Sequence, residues 1–219
     1  MVTVEPRAET VASVTVLDYG LGNLRSVVRG LERAGAAVTV DDDATALETA
    51  DGVVLPGVGA FREGVENAGP YRERLVDLAE SGTPLFGICL GMQMLLSTSE
   101  EADHAGEGEV RGLDLVPGAN VRFADDLTVP HMGWNRLDVR GDHPLVDGVD
   151  GRYVYFVHSY YAAPTDPSAT VASTAYGGEF ASVVVSPDHE TVFGTQFHPE
   201  KSGETGLRIL RNFVDLCAP

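Results

Sequence analysis

Pro84-Leu-Phe-Gly-Ile-Cys89-Leu-Gly-Met-Gln93-Met-Leu-Leu96 reads as a buried strand that turns sharply into a helix. The run at 84–88 is short and opens with a proline, and glycines stand two residues before and two residues after Cys89. A turn this tight needs those glycines, because side chains there would collide. The strand is therefore expected over 84–88 and the helix over 90–96.

The segments on either side fit the same frame. Upstream, Val14-Thr-Val-Leu17, a helical pattern over 21–34, an apolar run over 37–40, a brief helix and Gly52-Val-Val-Leu55 alternate. A helix over 71–80 follows, with Leu75, Leu78 and Ala79 on its buried stripe and Ser81-Gly82 as its stop. This alternation predicts βαβ units and a parallel sheet. Beyond Glu100, glycine and aspartate become frequent and short alternating runs at 119–123, 153–161, 169–174, 180–185 and 191–197 predict strands joined by turns. At the end, Leu207, Leu210, Phe213 and Val214 mark one face of a helix over 206–216. No repeat and no Pro/Ser-rich linker divides the chain. The expectation is a single α/β domain over 13–219, with a central mixed, largely parallel sheet flanked by helices, after a flexible extension at 1–12.

With 15 Lys+Arg against 33 Asp+Glu the net charge is −18, which makes nucleic acid and anionic membrane surfaces poor partners. Lys201 is the only lysine. An acidic surface almost without lysine is expected of a cytoplasmic protein from a salt-loving cell, where ions screen self-repulsion. The opening residues carry Glu5, Arg7 and Glu9 and lack the apolar stretch of a signal peptide. The longest apolar run, 85–96, is broken by Gln93 and falls short of the roughly 18 residues that cross a bilayer. The two cysteines, Cys89 and Cys217, are read as thiols.

The turn also has chemical consequences. It lifts the Cys89 sulfur above the sheet edge and sets it at a helix N-terminus, which favours thiolate. The backbone N–H of Leu90 then points toward a developing oxyanion. A nucleophilic cysteine needs a base, and the base needs an orienting acceptor. His198-Pro199-Glu200, following the strand at 192–197, supplies both, with the two side chains expected on one side of an extended segment. A second oxyanion donor is expected from Gly57-Val58-Gly59, which follows a strand in Leu55-Pro56-Gly57-Val58-Gly59-Ala60-Phe61. The remaining histidines show no metal-ligand spacing, so neither a metal site nor a cofactor is expected. Gly20 and Gly22 suggest a dinucleotide loop, but Arg25 stands where its third glycine belongs, and nucleotide binding is rejected.

Gly87-Ile-Cys89-Leu-Gly91-Met-Gln93 and Gln196-Phe-His198-Pro-Glu200-Lys201-Ser202 resemble the two most specific motifs of the class I (triad) glutamine amidotransferases, and the resemblance extends from about Ser13 onward. It implies that Cys89 attacks the side-chain amide of glutamine, forming a thioester and releasing ammonia, with His198 and Glu200 completing the triad. It further implies glutamine contacts at Gly59, Gln93, His158, Ser159 and Tyr160. Asp18-Tyr-Gly-Leu-Gly-Asn23, Pro56-Gly-Val-Gly59, Pro130-His-Met-Gly-Trp-Asn135 and Val157-His-Ser-Tyr-Tyr161 are most similar to one branch of the family. In that branch the glutaminase passes ammonia to a separate cyclase subunit, a HisF-like (β/α)₈ barrel of histidine biosynthesis, so a heterodimer is expected. Lys201 directly follows the triad glutamate and is placed at that joint, together with Trp134, Met132 and Asn23. Trp134 and Met132 are expected in a short loop, with core packing as the alternative. A glutaminase of another synthase, a catalytically silent scaffold and a cysteine peptidase remain open alternatives at this stage.

Overall fold

The computed structural model describes residues 11–101 and 110–218. Its first half runs β1 (Ser13–Leu17), α1 (Leu24–Ala34), β2 (Ala37–Asp41), β3 (Gly52–Leu55), α2 (Phe61–Ala68), α3 (Arg72–Ser81), β4 (Leu85–Ile88), α4 (Leu90–Leu95) and β5 (Leu96–Ser99). The second half adds β6 (Val116–Arg122), β7 (His131–Arg136), β8 (Asp138–Val139), β9 (Tyr153–His158), β10 (Tyr160–Pro164), β11 (Thr170–Ala175), β12 (Glu179–Val185), β13 (Val192–Thr195) and α5 (Gly203–Cys217).

Among the described residues the main sheet has 11 strands, ordered β2-β1-β3-β4-β13-β12-β10-β6-β5, with β11 and β8 branching from β12. The strands from β2 to β13 are all parallel, and β12 opens an antiparallel region. Side chains alternate across the sheet as period two requires. Val14, Val16, Val54, Phe86 and Phe193 enter one apolar cluster with α1 and α5. Leu17, Val53, Leu55, Leu85 and Val192 enter the other with α2, α3 and α4. Both faces being covered explains why β3 and β4 are apolar throughout rather than alternating.

This topology decides where chemistry can occur. β3, β4 and β13 lie side by side and point the same way, in registers that pair Leu55 with Gly87 and Thr195 with Ile88. The residues that follow them, Pro56, Cys89 and Gln196, therefore emerge together at the carboxyl edge of the sheet.

Several boundaries differ from the sequence reading. α1 begins at Leu24, where the side chain of Asn23 accepts from the Ser26 N–H and caps the helix. Leu96 opens β5 instead of closing α4. The run over 153–161 is two strands: β9 pairs with β7 in a separate two-stranded sheet, β10 joins the main sheet, and Ser159 marks the break. Met132 and Trp134 lie on strand β7, not in a loop. Gly133 and the lack of an apolar face conceal that strand, whose alternate residues are solvent-facing. The expected extension at 1–12 falls outside the described residues except at 11 and 12, and the backbone of Ala12 already pairs with Ala37.

Close approach at the turn after β4 dictates glycine. A Cβ on Gly91 would lie 1.7 Å from the carbonyl oxygen of Leu55, and one on Gly87 would lie 2.7 Å from backbone atoms of Gly91 and Met92. Gly91→Ala is expected to lower stability by about 3 kcal/mol or more, because neither partner atom can yield without moving β3 or α4. Urea unfolding of the two proteins in the same salt measures this, and an unchanged midpoint would mean that the packing of α4 on β3 is not required.

Candidate active site

Cys89 sits between β4 and α4 with φ 54° and ψ −106°, a conformation L-residues rarely adopt. The neighbouring strands hold it there: its N–H donates to Thr195 O at 2.8 Å, and its carbonyl accepts from the Gln93 N–H at 3.0 Å. Such a strained residue on an over-determined turn is characteristic of a nucleophile. α4 has only six residues, so its individual free N–H groups, rather than a long helix dipole, matter to the sulfur. As the first residue of α4, Leu90 has no intrahelical acceptor for its N–H.

His198 and Glu200 meet through a turn, not through an extended segment as the sequence suggested. His198 is extended, and Pro199–Lys201 then forms a single 3₁₀ turn. Proline suits the first position of such a turn, since its φ is preset and no donor is lost. The Ser202 hydroxyl closes the turn by donating to His198 O at 2.6 Å and accepting from the Tyr155 N–H at 2.9 Å. His198 Nδ1 is then 2.9 Å from Glu200 Oε1, with both side chains buried. A carboxylate on Nδ1 fixes that nitrogen as the donor and directs Nε2 to the other end of the ring. Nε2 is buried and meets no oxygen or nitrogen partner among the described residues; Cys89 is the group that acts on it. Burial works against a charged imidazole, but Cys89 and Glu200 outweigh it and lift His198 to about 9. Cys217 provides the contrast: buried at the end of α5, its thiol is pushed up to about 12 by burial and by Asp51, and it is inert.

A cavity of about 290 Å³ opens beside the sulfur, small for a ligand site. Of the residues singled out from the sequence, Val58, Gly59, Leu90, Gln93, Ser159 and Tyr160 line it together with Cys89, His198, His158 and Lys201. Gly57 lies behind the wall, where a Cβ would be 2.5 Å from the Tyr19 hydroxyl and 2.8 Å from Leu90 Cβ. Tyr19 donates to Pro56 O and thereby pins this loop, a role its position in the sequence did not reveal. Burial drives the Tyr19 hydroxyl upward, so it remains a donor. The sequence reading also missed Glu101, which lines the cavity and accepts from the Phe61 N–H at 2.7 Å. No local pattern marks Glu101; it reaches the site because its carboxylate caps the start of α2. A fixed carboxylate there gives the cavity an acceptor for a cationic group.

His158 cannot offer a ring nitrogen to a ligand, because both are engaged. Nδ1 is 2.8 Å from Tyr160 O and Nε2 is 3.1 Å from His131 Nδ1. A carbonyl only accepts, so the first contact places the proton on Nδ1 of His158, and His131 must donate the second. Burial holds His158 down at about 3 and His131 at about 4, so both stay neutral at ordinary pH. Tyr160 O accepts a further bond, from Gln93 Nε2 at 2.9 Å.

Lys201 is exposed at the cavity wall. Met132 and Trp134, 67% and 56% exposed on β7, are not core residues, and exposed Tyr153 lies on the adjacent strand β9. The three side chains share the exposed face of the β7–β9 ribbon, since Met132 pairs with Val157, Trp134 with Tyr155 and Arg136 with Tyr153. Asn23 is exposed as well, and its capping of α1 accounts for its local role.

Taken as chemistry, a thiol on a strained turn, a carboxylate-oriented imidazole and the backbone of Val58, Gly59 and Leu90 lining one small cavity are the parts used in acyl transfer through a thioester. The family described as glutamine amidotransferase class-I matches residues 15–217. The chain is similar to the imidazole glycerol phosphate synthase subunit HisH of Halobacterium salinarum, 70% identical with 94% of each chain covered. It is likewise similar to the subunit of that name from Haloarcula marismortui, 66% identical over 95% of this chain and 97% of the relative. Among solved structures, PurLQS from Thermotoga maritima shares the fold, with a TM-score of 0.70 and 21% identity over 94% of this chain and 99% of that one.

Proposed function

The chain belongs to the class-I glutamine amidotransferases, and from that membership we propose that it is the glutaminase subunit of an imidazole glycerol phosphate synthase, hydrolysing glutamine to glutamate and ammonia for histidine biosynthesis. The observation that carries the reading is the convergence of Cys89, His198 and Glu101 on one cavity sized for a small amino acid. In this reading the Cys89 thiolate attacks the side-chain amide carbon of glutamine. The resulting oxyanion takes hydrogen bonds from the Leu90 N–H and from the loop at Gly57-Val58-Gly59. His198, held by Glu200, gives its proton to the departing ammonia, leaving a thioester. It then takes a proton from water, which attacks the thioester and releases glutamate, and the thiolate–imidazolium pair is restored. Glu101, Gln93, Gly59, Ser159 and Tyr160 hold the amino-acid end of the substrate, while His158 supports Tyr160 from behind.

The ammonia goes to a separate (β/α)₈-barrel cyclase chain of the HisF kind, docked on Met132, Trp134 and Tyr153 with Lys201 at the cavity mouth. An aromatic ring and a methionine exposed together suit the centre of such an interface, and a lone ammonium suits a carboxylate across it. The acidic surface, with net charge −18, supports work in a salt-rich cytoplasm. Glutamate release measured in high potassium chloride, alone and with the cyclase carrying its own substrate, tests the assignment. Stimulation by the loaded cyclase is expected; turnover that ignores the cyclase would assign the chain to a different synthase. Trp134→Ala is expected to weaken cyclase binding about 30-fold, as loss of an aromatic anchor does, and titration calorimetry reads this directly. Unchanged affinity would move the docking surface elsewhere.

A further inference from the structure

The whole chain contains only two glutamines, Gln93 and Gln196. They are bonded to each other in the site: Gln93 Nε2 donates to Gln196 Oε1 at 3.2 Å. Gln196 is completely buried, carries no charge, and stands on the strand exit next to that of Cys89. Its own Nε2 lies 3.8 Å from Cys89 Sγ, within reach of an N–H···S bond.

The direction of these bonds is not arbitrary. Tyr160 O can only accept, so the Gln93 group that faces it must be the amide nitrogen. That nitrogen's other hydrogen then faces Gln196, whose carbonyl must turn toward it, and the Gln196 amide nitrogen is left facing the sulfur. Tyr160 O is itself held by His158, and His158 by His131, both buried and neutral. Tyr160 O is thus the common acceptor of His158 and Gln93, and from Gln93 onward the donors run one way, to Gln196 and then to the nucleophile. The opposite orientation would set two acceptors against each other at Tyr160 O.

We infer that Gln196 is a catalytic residue that donates a hydrogen bond to the Cys89 thiolate, with the Gln93–Tyr160–His158–His131 chain acting to position it. The inference rests on Cys89 being the nucleophile and adds a second donor to the sulfur besides His198. Such a donor favours the thiolate over the thiol and is kept in place by groups that do not titrate near neutral pH. It also makes the thiolate less reactive once formed, since nucleophilicity falls as the charge is stabilised.

Gln196→Met keeps the length of the side chain and removes the donor. Iodoacetamide alkylation of Cys89, followed across pH, is expected to shift its midpoint upward by about one pH unit, with a plateau rate about twofold to threefold higher. Glutamine turnover is expected to lose about tenfold in kcat with KM little changed. A role confined to packing would leave the midpoint and plateau where they are, and that result overturns the inference. The wild-type protein gives an independent reading that does not depend on the variant folding. With glutamine side chains labelled by ¹⁵N, the Gln196 carboxamide, assigned by its contacts to Phe197 and Cys89, is expected to move with the same midpoint as alkylation and to stand still in Cys89→Ala. A Gln196 signal that ignores thiol ionisation in the wild type overturns the inference. Neither measurement uses glutamine turnover. A Cys89→Ala protein that still released glutamate would refute the proposed function separately, whatever the alkylation profile.

Discussion

Cys89→Ala is expected to lower glutamate release from glutamine by about 10⁴-fold or more, alone and in the presence of the loaded cyclase. The magnitude follows from the kind of catalysis. Without sulfur no thioester can form, and water must attack the amide directly, aided only by the oxyanion donors and by substrate positioning. Alanine adopts the positive φ of Cys89 no better than cysteine does, and removing a sulfur that faces the cavity leaves no hole in the core. The variant should therefore unfold near the wild-type midpoint and still bind glutamine and the cyclase. A coupled glutamate assay, with acid quench and mass spectrometry to trap a glutamyl adduct of 89 in the wild type alone, provides the measurement. Equal turnover in the two proteins would remove Cys89 from the mechanism.

Glu200→Gln should be nearly as severe, about 10³-fold to 10⁴-fold in kcat, by analogy with loss of the orienting carboxylate in other triads. An amide can present its NH₂ group to His198 Nδ1 and so stabilise the wrong tautomer, and it withdraws the charge that supports the imidazolium. The pH profile separates these effects from a general loss of structure. His198 is raised to about 9, so it is protonated at neutral pH and loses its proton as the pH climbs through that value. Wild-type turnover, which needs an imidazolium to protonate ammonia, should fall on the alkaline side near pH 9. Because Glu200 is one of the two groups that lift His198, its replacement moves this alkaline limb to lower pH. A profile that drops uniformly without moving would indicate that Glu200 acts through packing of the turn rather than through the imidazole.

The two motifs that carry the chemistry were readable in the sequence because each is local. Glycine on both sides of Cys89 reports a turn that tolerates no side chain, and the contacts at Gly87 and Gly91 show the collision that enforces it. His198 and Glu200 are two residues apart, so their pairing needs only the correct turn. The shape of that turn is not local, since Ser202 and Tyr155 select 3₁₀ geometry over an extended segment and Tyr155 comes from strand β9. The run over 153–161 was similarly read as one strand, because alternation of side chains shows the period but not the partner. Which sheet a strand joins is settled by backbone groups of distant segments.

The remainder of the site depends on such distant pairings. Gln93 and Gln196 are 103 positions apart, Glu101 and Phe61 are 40, and Tyr19 and Pro56 are 37. By itself the sequence determined the α/β class, the strand-turn-helix that presents Cys89 and the adjacent base and carboxylate, since short-range sterics and hydrophobic periodicity act within a few residues. Only the tertiary structure decided that β3, β4 and β13 end together, that Glu101 reaches the cavity and Gln196 the nucleophile, and that both ring nitrogens of His158 are engaged. Hydrogen bonds between remote residues leave no period in a sequence, and their direction depends on which donors and acceptors the folded backbone brings face to face.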